Sequence, residues 1–384
     1  MIRIASYNVE NLFARSKALN RETWAEGRAI LDAQKKVNSL MQEDTYSAAL
    51  KREITELLLV LEVYVRNDVG AVRRSTSRSP KWAWFRKNRG DFDVEPSDRT
   101  KDVVITATGR ADWIGWVELA KESVDEASVR LTARVIEDLD ADIMGVIEAE
   151  DRPSLLRFNS DLLGNRFGPI MLVDGNDDRG IDVAIMTKPG FSIGSIHSNV
   201  DVPDGNQKLF SRDCPQYEVT TPNGEVLHIL VNHFKSQSGG GGDKRLKQAK
   251  GVLDIVKRLV AEGKHVVVMG DLNEGPTAVG GHATHLAPLY SHGTPLLECY
   301  SLPGFDVGPK PGTFDACGIR NRLDYIFISK SLEPYWAGGG LFRKGLWGTR
   351  ESRPTAWETY PEPHLASNNQ QASDHAAVWI ELNL

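Results

Sequence analysis

The sequence predicts an α/β protein whose strand–helix alternation is interrupted once, near its start, by a largely helical insertion. Three observations carry this reading. From about residue 126 onward, short apolar runs alternate with stretches of helical periodicity, the pattern of an α/β fold. Ile2, Ile4 and Ser6-Tyr7 read as a strand from the first residues, yet the next strand pattern arrives only at residue 142. Between them, over about 14–125, the dominant apolar spacing is three and four residues instead of two.

Residues 1–13 form the opening strand and its loop. A helix is expected around 20–41, carrying Trp24, Leu31 and Leu40. A second, over roughly 44–66, carries Ile54, Leu57, Leu58, Leu61 and Val65 and can pair with the first. Arg73-Arg74-Ser75-Thr76-Ser77-Arg78-Ser79-Pro80 reads as a breaker-rich loop. Val129–Leu139 reads as a helix and Asp142–Glu148 as the buried strand after it. Further buried strands are expected at Asp182–Thr187, Val226–Asn232, His265–Gly270, Leu323–Ser329 and Ala376–Leu382, with a helix at Lys244–Ala261. Gly239–Gly242 is too short for a domain linker, and no internal repeat is present. The expected organisation is one domain over 1–384, with residues 14–125 inserted within it.

Composition narrows the class. At 384 residues, with 41% hydrophobic and 26% charged residues, the chain is neither disordered nor fibrous. A net charge of -6 excludes a global positive field, so any contact with a polyanion has to be local. Cys214, Cys299 and Cys317 are odd in number and lack C-x-x-C spacing, which suits reduced, buried thiols. No basic stretch followed by an apolar run and a cleavage site opens the chain, and Leu57–Val65 is too short to span a bilayer. A cytoplasmic protein with no membrane contact and no obligate protein partner is expected.

Chemistry-bearing residues stand where the apolar strands meet loops. Asn8 follows Ile4-Ala5-Ser6-Tyr7, Glu148 ends the Ile143 strand, and His233 ends Leu227–Asn232. Asp271 and Asn273 follow Val266–Gly270, Asp324 opens Tyr325–Ile328, and Asp374-His375 opens Ala376–Ile380. Each alone is a weak signal, because a D-x-N arises by chance about once in a chain of this length. Six strand-end sites in one order are not a chance pattern.

Those residues carry a family resemblance. Ser6-Tyr7-Asn8-Val9-Glu10-Asn11-Leu12, Gly145-Val146-Ile147-Glu148, Asn232-His233-Phe234-Lys235-Ser236, Gly270-Asp271-Leu272-Asn273 and Ser373-Asp374-His375 resemble the ordered motifs of the endonuclease/exonuclease/phosphatase superfamily. The resemblance covers about residues 1–13 and 126–384. It implies a four-layer sandwich of two mixed β-sheets flanked by helices, with the active site at one edge of the sheets.

The resemblance also implies roles that elementary chemistry supports. Hydrolysis of an anionic phosphodiester needs a cation against the charge that develops on oxygen. Mg2+, with Mn2+ as a substitute, suits carboxylate and amide oxygens, so Glu148, Asn8 and Asp374 are the expected metal residues. Asp271 is expected to deprotonate the attacking water, and Asn273 to donate to the phosphoryl oxygen or the nucleophile. His375 would donate to the phosphate while Asp324 holds it charged. His233 resembles the second active-site histidine of the deoxyribonuclease branch, with Asp182 as a possible partner. Glu10 is a candidate for an acidic residue behind the site. Lys235, Arg179 and Asp182 are candidates for substrate contact.

The substrate class expected is a nucleic acid. Residues 69–90 contain no acid but hold Arg73, Arg74, Arg78, Lys81, Arg86, Lys87 and Arg89, interleaved with Trp82, Trp84 and Phe85. Cations for backbone phosphates and ring faces for bases suit single-stranded or distorted nucleic acid, with Arg86, Lys87 and Trp84 as named contacts. The competing reading of this segment is a solvated loop with its aromatics in the core. A phosphatase or a phospholipid phosphodiesterase is the alternative within the superfamily.

Two further patterns point elsewhere. Gly190-Phe191-Ser192-Ile193-Gly194 matches the G-x-S-x-G of serine esterases, but the extended stretch after Ser192 is not the helix that a nucleophile elbow needs. His282, His285 and His292 could form a zinc cluster, though helical HExxH spacing is missing. A binding module that has lost its catalytic residues is disfavoured, because Glu148, Asp271 and His375 are all present.

Overall fold

The computed structural model describes residues 1–10, 18, 24–78, 80–120, 126–177, 180–237, 240–278, 280–347, 360–362, 365 and 370–384. The chain divides into one unit of Met1–Phe13 with Val124–Leu384 and another of Ala14–Ser123.

The larger unit is built on two mixed sheets. One has seven strands, in the order Phe305–Asp306, Trp336–Phe342, Ala377–Leu382, Ile2–Asn8, Ile143–Ala149, Asp182–Thr187 and Ile170–Val173. The other has six: Ser192–His197, Gln216–Thr220, Val226–His233, His265–Asp271, Asp324–Ser329 and Leu296–Glu298. Alternation along each strand decides the layering. Ile4, Ile147 and Val183 point inward and meet Ile229, Val231, Val267 and Ile326 of the facing sheet in one shared core. The intervening residues Ala5, Tyr7, Met144 and Val146 face outward. They are covered by Leu131, Val135 and Ile136 of the Glu126–Leu139 helix and by Leu155 and Phe158 of the Arg152–Asp161 helix. Behind the second sheet, Leu230, Val266 and Val268 pack on Val252, Val256 and Leu259 of the Gly242–Ala261 helix. Each such aliphatic side chain, fully buried, contributes about 1.5–3 kcal/mol. The result is the four-layer sandwich that the motifs implied.

Near the middle of each sheet lies a parallel pair, Ile2–Asn8 beside Ile143–Ala149 and Val226–His233 beside His265–Asp271. Parallel neighbours need a crossover connection, and the Gly242–Ala261 helix supplies the second one. The expected strands are recovered with ends shifted by at most one residue, the expected Lys244–Ala261 helix starts two residues earlier and the expected Val129–Leu139 helix three residues earlier. Six strands of the two sheets went unread: Ile170–Val173, Ser192–His197, Gln216–Thr220, Leu296–Glu298, Phe305–Asp306 and Trp336–Phe342. Short length or glycine content gave them no periodic signal.

In the inserted unit, helices at Trp24–Leu40 and Ala48–Val60 share a core that includes Val37, Ile54, Leu58, Phe92 and Trp113. Ser47 Oγ caps the second helix by accepting from Leu50 N at 3.1 Å. The expected helical span to residue 66 is corrected. Glu62 turns left-handed (φ 53°), and Val63 N donates back to Leu58 O and Glu62 N to Leu59 O, a Schellman stop. Val65 therefore belongs to a Tyr64–Arg66 strand paired with Val72–Arg74. The basic-aromatic stretch is likewise not one loop. Ala83–Arg89 pairs antiparallel with Ile114–Leu119, burying Trp82 and packing Phe85 against Trp113. No helix among the described residues is long and apolar enough to cross a membrane.

Candidate active site

The two parallel pairs end together, and their last residues form one cluster. Three strands of the six-stranded sheet place His233, Asp271 and Asp324 side by side, since His233 registers with Asp271 and Asp271 with Asp324. Asn8 and Glu148 end the parallel pair of the facing sheet, and Asp374 and His375 lead into its Ala377–Leu382 strand.

Backbone irregularity aims two of these groups. Asp182 registers with Ala149 and Val183 with Ile147, so Glu148 is the extra residue of a β-bulge, held at φ 68°. A bulge redirects a side chain that regular alternation would send to the outer face. Glu148 Oε1 instead lies 3.8 Å from His233 Nε2 of the opposite sheet. Asn273 adopts φ 55°, which asparagine tolerates, and its N–H donates to Asp271 Oδ1 at 2.8 Å. Gly270, at φ 140°, has no room for a side chain, because a Cβ there would meet Asn232 O at 1.9 Å.

Asp271 Oδ2 is the hub. It accepts from Asn273 Nδ2 at 3.2 Å and Asn8 Nδ2 at 3.3 Å, and lies 3.6 Å from His233 Nε2 and 3.9 Å from His375 Nε2. His375 Nδ1 donates to Asp324 Oδ2 at 2.8 Å, and its Nε2 is 3.7 Å from Asp374 Oδ1. Ser373 Oγ donates to Asn8 O at 2.7 Å and accepts from His375 N at 3.0 Å. Glu10 Oε2 accepts from Asp374 N at 2.9 Å, so Glu10 supports the site from behind.

Electrostatics are crowded on the negative side. Burial pushes Asp271 up to about 7; His375 opposes the rise, while Asp324 and Glu148 add to it. Burial likewise drives Asp374 well above the carboxylate range, with His375 opposing and Glu10 and Glu148 adding. His375 is pulled down by burial, but Asp324, Asp374 and Asp271 outweigh that and raise it well above an ordinary imidazole. Asp374 Oδ1 is buried and accepts no hydrogen bond. An orphaned carboxylate oxygen among like charges, beside an amide and a further carboxylate, fits a hard divalent cation. Asp271, Asp324 and His375 also place one donor atom each within 4.8 Å of one another.

The remaining candidates divide. Lys235 sits half-buried two residues beyond His233, its N–H donating to Gln248 Oε1 at 3.0 Å. Asp182 is near the Glu148 bulge, but its Oδ1 accepts from Gly175 N at 2.8 Å and not from His233, so that pairing is corrected. Burial pushes its carboxyl up to about 6 against the Gly175 bond, and Asp174 and Asp177 add to the rise. Arg179 lies outside the described residues. Trp84, Arg86 and Lys87 belong to the inserted unit, where Arg86 donates to Glu118 at 2.5 Å and stacks over Trp84, and Lys87 meets Asp91 at 2.6 Å. Thr313 was missed: its Oγ1 accepts from Leu323 N at 3.0 Å and Asp324 N at 3.2 Å, and no spacing rule pointed to it.

The rival patterns do not assemble. Ser192 begins an edge strand and registers with Thr220, itself opposite Val226, so it stands at the end of the sheet remote from His233. His282 stacks on Tyr290, His285 pairs with Glu274 at 2.8 Å and His292 is exposed; they form no metal cluster among the described residues.

Carboxylates, amides and imidazoles gathered at the meeting ends of two sheets are the groups that hydrolysis of a phosphate ester calls on. A family model described as the endonuclease/exonuclease/phosphatase family matches residues 87–287, and the chain belongs to that family of hydrolytic phosphoesterases. The matched span includes Glu148, His233, Asp271 and Asn273, and ends before Asp324, Asp374 and His375. No curated protein sequence matches the chain. Among solved structures, an endonuclease/exonuclease/phosphatase family protein from Bacteroides thetaiotaomicron is 21% identical, with a TM-score of 0.49 over 66% of this chain and 88% of that one. A mannosyl-6-phosphatase from the same organism is 19% identical, with a TM-score of 0.49 over 66% and 90%. Truncated TDP2 of Caenorhabditis elegans is 16% identical, with a TM-score of 0.45 over 66% and 89%.

Proposed function

We propose that this chain is a divalent-metal-dependent phosphodiester hydrolase, and that nucleic acid is its substrate. The observation that carries the catalytic reading is Asp374 Oδ1, buried without a hydrogen bond and in the field of Glu10 and Glu148, in the cluster where Asn8 donates to the Asp271 hub. Glu148, Asn8 and Asp374 would hold Mg2+ or Mn2+, which would neutralise charge on the phosphoryl oxygens. Asp271, raised toward neutrality, is suited to take a proton from the attacking water. Asn273 Nδ2 reaches both Asp271 Oδ2 and Phe234 O, so it fixes the carboxylate that orients that water. His375, kept protonated by Asp324, donates to the phosphate or to the leaving oxygen. The Asp271–Asp324–His375 trio could bind an ion on geometry alone. The 2.8 Å His375–Asp324 bond, however, keeps a proton and a positive charge on the ring, which favours a proton-transfer role.

Nucleic acid is supported by the motif resemblance and by His233, a second imidazole on the hub. A phosphatase is the second reading, and one observation favours it: five of the seven basic side chains of residues 69–90 are paired with acids, which weakens the electrostatic argument for a long polyanion. A cytoplasmic setting fits three free, buried cysteines. The test is a Mg2+- and Mn2+-dependent activity screen over single- and double-stranded DNA, RNA, abasic DNA, phosphoinositides, sugar phosphates and bis(p-nitrophenyl) phosphate. Metal-dependent cleavage of a diester, abolished by EDTA, is expected. Turnover confined to monoesters would replace the diester reading with the phosphatase one.

A further inference from the structure

The connection between the two central strands of the six-stranded sheet contains a buried arginine that no step so far uses. Arg245 lies in the first turn of the Gly242–Ala261 crossover helix and is only 5% exposed. Its Nε donates to Glu274 Oε2 at 2.8 Å, and its Nη1 faces three carbonyls, Lys235 O at 3.0 Å, Ser236 O at 3.1 Å and Gly240 O at 3.3 Å. Lys235 comes two residues after His233, and Glu274 directly follows Asn273. One guanidinium therefore ties the chain beyond His233 to the chain beyond Asp271.

The acid that anchors it is itself fixed. Glu274 Oε1 accepts from His285 N at 3.0 Å, His285 Nδ1 meets the carboxylate at 2.8 Å, and Tyr325 OH donates to Glu274 O at 2.8 Å. Tyr325 adjoins Asp324. Gly242 leaves space for the imidazole, since a Cβ there would meet the His285 ring at 2.5 Å. A buried ion pair is a weak source of net stability, because desolvation consumes much of its attraction. A planar fork satisfied at several fixed acceptors specifies geometry instead.

We propose that Arg245 is a positioning residue for the water-activating half of the site: anchored by Glu274 and His285, it sets the placement of His233, Asp271 and Asn273 relative to one another. Its catalytic consequence rests on the hydrolase reading above, while its structural consequence does not. Asn8, Glu148, Asp374 and His375 come from the other sheet, so loosening Arg245 disturbs one half of the site and spares the metal residues.

The experiment uses the full chain and the variants Arg245→Lys, which keeps the charge but loses the fork, and Glu274→Gln, which weakens the same link from its other end. Amide hydrogen exchange should accelerate about tenfold or more over Phe234–Gln237 and Leu272–Ala278, and stay unchanged over Ile143–Ala149. With bis(p-nitrophenyl) phosphate, kcat should fall about ten- to a hundredfold while the half-saturating Mn2+ concentration holds. Unchanged exchange in either loop, equal acceleration in the Glu148 strand, or a full kcat beside loosened loops would overturn the proposal. If Arg245→Lys does not fold, Glu274→Gln decides by the same readings. A wild-type protein that hydrolyses no phosphodiester would defeat the function proposed above, and the exchange data would still decide whether the clamp exists.

Discussion

In the inserted unit, Arg73 pairs with Glu95, Arg74 with Asp93, Lys81 with Glu62, Arg86 with Glu118 and Lys87 with Asp91. In the larger unit, Asp271, Asp324 and Asp374 have no lysine or arginine partner among the described residues, only imidazoles, amides and a hydroxyl-held backbone. The overall balance runs the same way. Residues 14–123 hold 20 Lys and Arg against 17 Asp and Glu, whereas the rest of the chain holds 26 against 35. Charge that the fold neutralises serves the fold. Charge that the fold concentrates, three carboxylates around the single imidazole of His375, is on the reading proposed above held for a cation and a phosphate.

The largest effects should come from removing the concentrated charge. Asp271→Asn keeps the shape but removes the base, so kcat on a diester should fall by about two or more orders of magnitude while substrate still binds. Glu148→Gln should be comparably crippled and should need more metal. Near-normal turnover in either variant would show that the cluster is not the reacting centre.

The imidazole provides the next test. His375 is raised and acts protonated, so the rate should decline as pH climbs through its folded pKa. Asp324→Asn removes the largest raising influence, so that decline should move to lower pH by about one unit or more, roughly 1.4 kcal/mol per unit. A pH–rate profile with an unmoved alkaline limb would break the Asp324–His375 assignment.

Stability without metal sharpens the comparison further. Asp271 has a folded pKa above its unfolded one, so its contribution is fully present below the unfolded pKa and is lost as pH rises through about 7. In EDTA, Asp271→Asn should therefore gain Tm over wild type between about pH 5 and 8, with the gap widening as pH rises. Saturating Mg2+ should stabilise both proteins, since the variant keeps Glu148, Asn8 and Asp374, at about 2.7 kcal/mol for a hundredfold excess over Kd. It should narrow the gap by offsetting the cost of the Asp271 charge that only the wild type carries. Thermal scans that show a constant gap would mean that burial and the neighbouring carboxylates do not raise Asp271.

The smallest effects are expected in the inserted unit. Arg86 and Lys87 are about half exposed, and such pairs contribute about 0–1 kcal/mol, so Arg86→Gln should barely change Tm. If their charges are compensated, Glu118→Gln with Asp91→Asn should raise affinity for single-stranded DNA and steepen its salt dependence, by about 0.7 per freed contact. Fluorescence titration at several salt concentrations checks this. Loss of affinity and a flatter slope on Arg86→Gln and Lys87→Gln in the wild-type background would show that the pairs open for substrate.

The core of the fold and most of the site were legible because both are written in short-range pattern. Alternation and apolar runs located the strands at Ile143, Val226 and His265, and Asn8, Glu148, His233, Asp271 and Asp374 could be seen standing at strand ends. Local spacing also located the two inserted helices, although it ran past Glu62, whose left-handed turn carries no strong residue signal. Tertiary structure decided the rest, because the deciding partners lie far apart in sequence. Glu118 and Asp93 answer a basic stretch that contains no acid of its own, Thr313 holds Asp324, and Gly175 takes the Asp182 that was expected to serve His233. A bulge opposite Asp182 turns Glu148 toward the second sheet, and an arginine in a crossover helix joins two loops. Residue type and period are properties of neighbours along the chain, whereas ion pairing, orphaned oxygens and shifted pKa values depend on distance and burial, which exist only once the sheets have packed.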